Sequence, residues 1–166
     1  MSPLTLLERL QSKQTQNKKT GADTCLLLDV SGSMAGFLPS GKTKIDSLKE
    51  VIQDFSGVRQ FSFSDECEEA PPTDARGGTN MAEAFYTVKR AGLRRCVLVT
   101  DGLPDSAQAA LEAVSGLSVN IIYVGPLPAP QFLRDLALRT KSAFSVESFT
   151  ATKELKSTIR LLLEKK

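Results

Sequence analysis

Short apolar runs recur along the chain and predict the strands of a β-sheet. They contain many leucine and β-branched residues, and each is four to seven residues long, which is typical of a buried strand. The runs cover residues 24–30 (TCLLLDV), 58–63 (VRQFSF), 95–100 (RCVLVT), 119–124 (VNIIYV) and 143–146 (AFSV).

Between these runs, apolar residues recur with the period of an α-helix. In the last such stretch, Leu155, Ile159 and Leu162 form a stripe that should pack on the sheet. The predicted helices cover residues 44–55, 80–91, 106–115, 130–138 and 152–164. Because alternating strands and helices are typical of βαβ units, the sequence predicts a three-layer α/β fold, with a mostly parallel central sheet and helices on both faces.

The segment 65–70 (DECEEA) differs from the other predicted strands because charged residues dominate it. It precedes the turn at Pro71 and Pro72, and we predict that it forms a short antiparallel strand at the edge of the sheet. Charged side chains at such an edge discourage pairing with the strands of other molecules.

The 166 residues are expected to form one domain, since a chain of this length rarely contains a second hydrophobic core. We assign this domain to residues 21–166 and predict a helical extension for residues 1–20. Residues 1–20 and 151–166 each carry a net charge of +3, so the part between them is acidic. These basic ends are either solvated helix faces or a docking surface for an acidic partner.

The composition excludes several classes of function. Hydrophobic residues make up 41% of the chain and charged residues 24%, as in an ordinary globular protein. The net charge of +2 is too balanced to indicate nucleic acid as a partner. Histidine is absent, which excludes Ser-His-Asp and Cys-His catalysis and zinc sites with histidine ligands. Any chemistry must therefore use carboxylates, hydroxyls, lysines, the backbone or a hard metal ion.

The sequence also predicts a location in the cell. The first 20 residues lack the basic, apolar and small-residue order of a signal peptide, and no apolar run approaches the roughly 18 residues of a membrane span. We therefore expect a cytoplasmic protein that does not act at a membrane. Its cysteines, Cys25, Cys67 and Cys96, form no CxxC pair. Buried, reduced thiols are the favoured interpretation, and a redox or metal-binding role is the alternative.

Oxygen-bearing side chains follow two predicted strands and precede one predicted helix. They are Asp29, Ser31 and Ser33 in DVSGSM, Thr79 in GGTN, and Asp101 in VLVTDG. Because open α/β sheets build sites at the carboxyl ends of their strands, we expect these five side chains to lie together. Five oxygen donors with only two formal charges suit Mg²⁺ or Mn²⁺, which prefer octahedral oxygen coordination. The sequence therefore predicts a site for one of these cations.

The order of the three segments, DVSGSM, then GGTN, then VLVTDG, resembles that of the von Willebrand factor A family, and the resemblance covers residues 23–163. It implies a Rossmann-like fold and a metal-ion-dependent adhesion site made of Asp29, Ser31, Ser33, Thr79 and Asp101. In that family, the hydroxyls coordinate the metal, the Asp residues bind it directly or through water, and a partner's Asp or Glu completes the shell. Intracellular members commonly work with AAA+ ATPases or inside multiprotein complexes, so the expected partner is an ATPase of this kind or a complex subunit.

This donor set favours binding over catalysis. A cation held mainly by neutral hydroxyls keeps much of its positive charge and attracts an incoming carboxylate. Glu83, one turn into the helix after Thr79, is a candidate general base, and a solvated position on the helix face is the alternative. We therefore predict that the protein is not an enzyme but a metal-dependent protein-interaction module.

A second motif competes in the same region. Residues 36–43 (GFLPSGKT) match GxxxxGK[ST], the loop in which backbone amides and a lysine hold nucleotide phosphates. Such a loop normally follows its strand directly, whereas residues 31–35 intervene here. If the match is accidental, the segment is a turn and helix start, with Thr43 as a cap and Lys42 and Lys44 near the rim of the metal site. Two alternatives therefore remain, namely a nucleotide-binding enzyme and a metal-free scaffold of the same fold.

Overall fold

The computed structural model describes residues 24–125, 129–140, 144–145 and 152–164. In this part of the chain, six strands form one sheet with the order β3-β2-β1-β4-β5-β6. The strands are β1 (Thr24–Asp29), β2 (Gln60–Phe63), β3 (Cys67–Glu68), β4 (Arg95–Thr100), β5 (Ser118–Tyr123) and β6 (Phe144–Ser145). Neighbouring strands are parallel, except that β3 is antiparallel to β2. As a result, β1 and β4 lie side by side at the centre of the sheet.

Helices connect most of these strands. They are α1 (Lys44–Ile52), α2 (Met81–Arg90), α3 (Ala107–Ala113), α4 (Gln131–Thr140) and α5 (Thr152–Glu164). Three of them begin at a polar cap, since the side chains of Thr43, Asn80 and Ser106 each accept a hydrogen bond from the amide three residues further on. None of the helices in the described ranges is long and apolar enough to cross a bilayer.

The sheet separates two hydrophobic cores. Alternate residues of β1 face opposite sides, so that Cys25 and Leu27 contribute to one core and Leu26 and Leu28 to the other. Helices α2, α3 and α4 cover the first side. Helices α1 and α5 cover the second side, where the predicted stripe of α5 is buried. The predicted three-layer α/β class, with helices on both faces of a mostly parallel sheet, is confirmed.

The predicted elements are present, with ends that differ by at most three residues. The largest difference is at the end of α1, where the helical pattern continues to residue 55 but the last turn, Gln53–Phe55, is a 3₁₀ helix. The charged edge strand is also confirmed, although it shortens to β3. The predicted extension at residues 1–20 lies outside the described residues, and the assignment of residues 21–166 to one domain stays a prediction.

All three cysteines are free thiols. Cys25 and Cys96 are neighbours on β1 and β4 and are fully buried, whereas Cys67 on β3 is partly exposed. Burial raises the pKa of the Cys25 thiol to about 12, so the reactive thiolate is scarce at neutral pH. This supports the interpretation of Cys25 and Cys96 as buried, reduced core residues.

Candidate metal centre

Two carboxylates lie at the carboxyl ends of the two central strands. In the parallel register of β1 and β4, Leu28 is opposite Val99, so that Asp29 ends β1 beside Thr100, and Asp101 follows directly. The Thr100 hydroxyl donates a hydrogen bond of 2.7 Å to Oδ2 of Asp29. Backbone pairing at the centre of the sheet therefore fixes both acids at the edge where α/β folds place their sites.

Asp29 is a fully buried carboxylate. Its Oδ1 accepts a hydrogen bond of 2.8 Å from the backbone N–H of Ser31, but none of the ion pairs in the described ranges includes Asp29. Burial, and to a smaller extent the charge of Asp101, raise the pKa of Asp29 from 3.8 to about 6, against the opposing effect of its hydrogen bonds. A buried carboxylate without a basic partner is costly, which marks this position as suited to a cation.

The Ser31 amide and the hydroxyls of Ser31 and Ser33 join Asp29 to Asp101. The Oγ atoms of Ser31 and Ser33 are 3.1 Å apart, and the Ser33 hydroxyl donates to Oδ1 of Asp101 over 2.8 Å. Ser31 precedes the 3₁₀ helix Gly32–Ala35, yet its side chain makes no capping hydrogen bond. The structure thus brings together four of the five predicted ligands and directs their oxygens toward one another.

Thr79 reaches the same edge through the backbone of its loop. The amide of Gly32 donates to the carbonyl of Gly77 over 3.0 Å, and the amide of Arg76 donates to the carbonyl of Val30 over 2.9 Å. These bonds hold the loop against the Ser31 to Ser33 segment, and Thr79, which is buried, lies two residues further on. The hydrogen bonds that join the other four residues do not include the Thr79 hydroxyl.

Two further carboxylates hold the Thr79 loop in place. Asp105 and Thr79 exchange hydrogen bonds, since the Thr79 amide donates to Oδ1 of Asp105 over 3.0 Å and the Asp105 amide donates to the Thr79 carbonyl over 2.9 Å. The amide of Gly78 donates a hydrogen bond of 2.9 Å to Oδ1 of Asp65. A Cβ atom at position 78 would lie 2.8 Å from an oxygen of each carboxylate, so a larger residue there would have to displace both side chains. Sequence reasoning missed both acids, because these contacts join loops 13 and 26 residues apart.

A lysine already contacts the site. Nζ of Lys44 lies 3.0 Å from Oδ2 of Asp101, and the two side chains are only 15% and 2% exposed. Lys44 is thus at the rim, as predicted, whereas Lys42 forms an ion pair with Glu50 of α1. Glu83 forms an ion pair with Arg90 on α2, which supports its interpretation as a helix-face residue rather than a base.

The segment that matches the phosphate-binding motif forms a small hairpin. Phe37 bridges to Thr43, and the amides of Leu38 and Gly41 donate to the carbonyls of Lys42 and Leu38. Thr43 then caps α1. Because these amides and Lys42 are engaged within the protein, the structure supports the turn and helix start over a phosphate cradle.

The donor chemistry fits a hard divalent cation. In the described ranges, no group of three or more cysteine or acidic side chains could hold a metal, and the chain has no histidine. A cation at this edge would therefore depend on hydroxyl oxygens beside the two Asp residues. That set suits Mg²⁺ or Mn²⁺ and is unlike the nitrogen and sulfur ligands of zinc sites.

No protein-family model matches the sequence, and no curated protein matches it. Solved structures share the fold, and two of them illustrate the likeness. A von Willebrand factor type A protein from Catenulispora acidiphila superposes with a TM-score of 0.67 at 17% identity, covering 84% of this chain and 41% of that one. A manganese-loaded TRAP protein from Plasmodium vivax gives a TM-score of 0.60 at 19% identity, covering 87% of this chain and 74% of that one.

The chain spans less than half of the Catenulispora acidiphila chain, so the activity of that whole protein does not transfer to it. At these identities the likeness concerns the fold. The order and direction of the strands, the two helical layers and these superpositions show that the chain has the Rossmann-like fold of a von Willebrand factor A domain.

Proposed function

We propose that the protein is a metal-dependent interaction module that binds an Asp or Glu carboxylate of a protein partner in the cytoplasm, and that it is not an enzyme. The partner would be an AAA+ ATPase or another subunit of a multiprotein complex. One observation carries the proposal. Among the residues that the structure describes, buried Asp29 has no basic partner, and it is joined through Ser31 and Ser33 to Asp101 at the open edge of the sheet.

Each of the five residues has a part in this proposal. Asp29 and Asp101 supply negative charge, and Ser31, Ser33 and Thr79 supply neutral oxygens, which leave a bound ion much of its charge. When bound there, Mg²⁺ or Mn²⁺ would supply the positive charge to which the partner's carboxylate binds. A TRAP protein that shares the fold is manganese-loaded, which supports a divalent cation as the bound ion.

The surrounding charges make a cation necessary for this recognition. Asp65, Asp101 and Asp105 all lie at the edge that a partner's carboxylate would approach, and Lys44 is already paired with Asp101. Like charges at such distances repel, so an acidic ligand should bind poorly to the metal-free protein. The proposal therefore predicts strict dependence of partner binding on divalent cations.

Thermal unfolding tests the proposed site. Millimolar Mn²⁺ or Mg²⁺ should raise the melting temperature of the wild type, because a ligand at about 100 times its Kd stabilises the folded state by about 2.7 kcal/mol. Asp101→Ala should lose this response. Asp74→Ala is the matched control, since the Asp74 side chain is 96% exposed and pairs with Lys49 at the surface. A response that is absent in the wild type would favour the metal-free scaffold, and an equal response in Asp101→Ala would place the metal elsewhere.

Partner capture tests the recognition itself. We expect wild-type protein to retain its partner from source lysate in Mg²⁺ and to release it in EDTA. Asp29→Ala should retain none in either buffer. A partner that stays bound in EDTA would contradict carboxylate recognition through the metal.

Lys44→Gln should bind Mn²⁺ about tenfold more tightly than the wild type. The Lys44 ammonium neutralises Asp101 and repels an incoming divalent ion, and a free-energy change of about 1.4 kcal/mol corresponds to a factor of ten. Titration calorimetry measures the affinity. Lys49→Gln, which removes a surface partner of Asp74, should leave it unchanged. Equal affinities for wild type and Lys44→Gln would show that the lysine does not oppose the metal.

Neither ATP nor GTP should bind detectably to the wild type, because the backbone of the 36–43 hairpin is engaged with itself. Lys42→Ala should leave Mn²⁺ binding and partner capture intact, since Lys42 pairs with Glu50. Calorimetry with each nucleotide checks this. Micromolar affinity that disappears in Lys42→Ala would instead establish the nucleotide-binding alternative.

A further inference from the structure

Two large apolar side chains are exposed beside the candidate metal centre. In the described part of the chain, five large apolar or aromatic side chains are exposed, and three of them, Tyr86, Leu138 and Leu161, lie on helices. The other two, Phe37 and Leu103, are 75% and 60% exposed and lie in the loops that follow β1 and β4. These are the loops that also carry Ser33 and Asp101.

The backbone fixes the exposure of Phe37. The amide of Leu38 donates to the carbonyl of Lys42 over 2.8 Å, and the Phe37 to Thr43 bridge closes the hairpin. Successive side chains of an extended segment point to opposite sides. Leu38 accordingly packs into the core, only 6% exposed, while Phe37 faces solvent. A well-paired loop with a buried anchor thus presents an aromatic ring to water.

Both residues are close to candidate ligands. Leu103 is close to Asp101 along the chain, and Phe37 is next to Gly36, whose backbone hydrogen bonds lead to Ser33 and Lys44. Gly36, which precedes Phe37, donates its amide to the Ser33 carbonyl over 3.0 Å and accepts the amide of Lys44 over 2.9 Å. The same Lys44 reaches Asp101 through its ammonium group. Leu103 follows Asp101 by two residues. The two exposed apolar residues therefore belong to the same loops as Ser33 and Asp101, at one edge of the sheet.

We propose that Phe37 and Leu103 form an apolar rim that selects, in a protein partner, a peptide segment whose Asp or Glu has a large aliphatic or aromatic residue within two positions. This inference rests on the proposed function and adds the identity of the neighbouring residue to it. The carboxylate would provide dependence on the metal. Contact of the neighbouring residue with the rim would remove two exposed apolar side chains from water, which is the usual source of affinity at an interface.

A peptide selection tests the rim directly. Short random peptides with a glutamate fixed at the centre are displayed and selected on the protein in Mg²⁺, with elution by EDTA. The double variant Phe37→Ser, Leu103→Ser is compared with Leu138→Ser, a control that removes an equally exposed side chain from α4. One selected peptide, and its counterpart with serine at the enriched position, are then titrated by fluorescence polarisation. Melting temperatures with and without Mn²⁺ show that each variant is folded and binds metal.

Peptides selected on the wild type and on Leu138→Ser should be enriched in Leu, Ile, Phe or Met within two positions of the glutamate. The double variant should keep its melting response to Mn²⁺, lose this enrichment, and bind the selected peptide about tenfold more weakly for each side chain removed. The serine counterpart should bind wild type and double variant equally. An unchanged enrichment in the double variant, or no enrichment in the wild type, would overturn the rim while leaving the proposed function intact. A wild type that neither responds to Mn²⁺ nor retains peptides would overturn the proposed function as well.

Discussion

In the absence of divalent cations, Asp29→Asn should be more stable than the wild type at pH 7 by on the order of 2–3 kcal/mol. Burial raises the pKa of Asp29 from 3.8 to about 6, and a shift of one unit corresponds to about 1.4 kcal/mol. An asparagine keeps the shape of the side chain and can accept the Ser31 amide, while the Thr100 hydroxyl can turn to accept its NH₂ group. The substitution thus removes the cost of a buried charge at little expense in hydrogen bonds.

The sign of the pH dependence follows from proton binding. Between pH 3.8 and about 6, folded Asp29 still holds a proton that the unfolded chain has released. Folded stability of the metal-free protein should therefore fall as pH rises through this window and change little above it. Because Asp29→Asn lacks this group, its advantage over the wild type should be small near pH 4 and complete by pH 7.

Urea unfolding in EDTA, repeated from pH 4 to pH 7.5, measures this difference. Asp101→Asn is the matched control, since Asp101 has Lys44 as a partner and loss of its charge should lower the stability of the metal-free protein. Millimolar Mn²⁺ should reduce or reverse the difference in stability between wild type and Asp29→Asn, because only the wild type should be stabilised by binding the ion. If the difference in unfolding free energy between the two proteins did not vary with pH, the charge of Asp29 would not be its cause.

Gly77→Ala should lower both stability and metal affinity. Gly77 has a φ of +76°, and a Cβ atom there would lie 2.6 Å from Oδ2 of Asp65. The backbone conformation costs an alanine about 1–2 kcal/mol, and the Asp65 carboxylate, which accepts a hydrogen bond from the Gly78 amide, would have to shift away. Relief of the clash would displace the loop that carries Thr79, so we expect affinity for Mn²⁺ to fall at least tenfold.

Gly92→Ala separates the cost of the backbone conformation from the effect of the contact with Asp65. Gly92 has a similar φ of +81°, but no atom of the described residues lies within 4 Å of a Cβ atom at that position. This variant should show the backbone cost alone and bind Mn²⁺ like the wild type. Urea unfolding gives the stabilities and calorimetry the affinities. If the two variants lost equal stability, or if Gly77→Ala kept full affinity, the close packing of Gly77 against Asp65 would have no part in holding Thr79.

Local patterns along the sequence were sufficient to predict the sheet and its helices. Runs such as 24–30 are apolar because both faces of a central strand are covered, and that pattern needs no knowledge of distant residues. The gathering of Asp29, Ser31, Ser33 and Asp101 was also predictable, since two short motifs end neighbouring parallel strands.

Contacts between loops were not predictable in the same way. The sequence placed Lys44 near the rim of the site, but neither the charge pattern nor the spacing indicates its ion pair with Asp101, 57 residues away. The hydrogen bond from the Thr100 hydroxyl to Asp29 spans 71 residues. Its one weak indication in the sequence is that Thr100 directly precedes Asp101. Asp65 and Asp105 resemble ordinary loop acids until their contacts with the Gly78 and Thr79 amides are seen. Such contacts depend on how the loops fold over the sheet edge, which local propensity does not determine.

The placement of Asp29 and Asp101 at the carboxyl ends of the adjacent strands β1 and β4 divides the candidate site into a rigid half and an adjustable half. Separating the two acids would require breaking the ladder between β1 and β4, whereas Ser31, Ser33 and Thr79 are held by a few loop hydrogen bonds. Amide hydrogens of residues 26–29 and 97–99 should accordingly exchange with solvent far more slowly than those of residues 32–36. Changes in ligand preference during evolution can therefore arise through loop substitutions and insertions, while the charge at the base of the site stays constant.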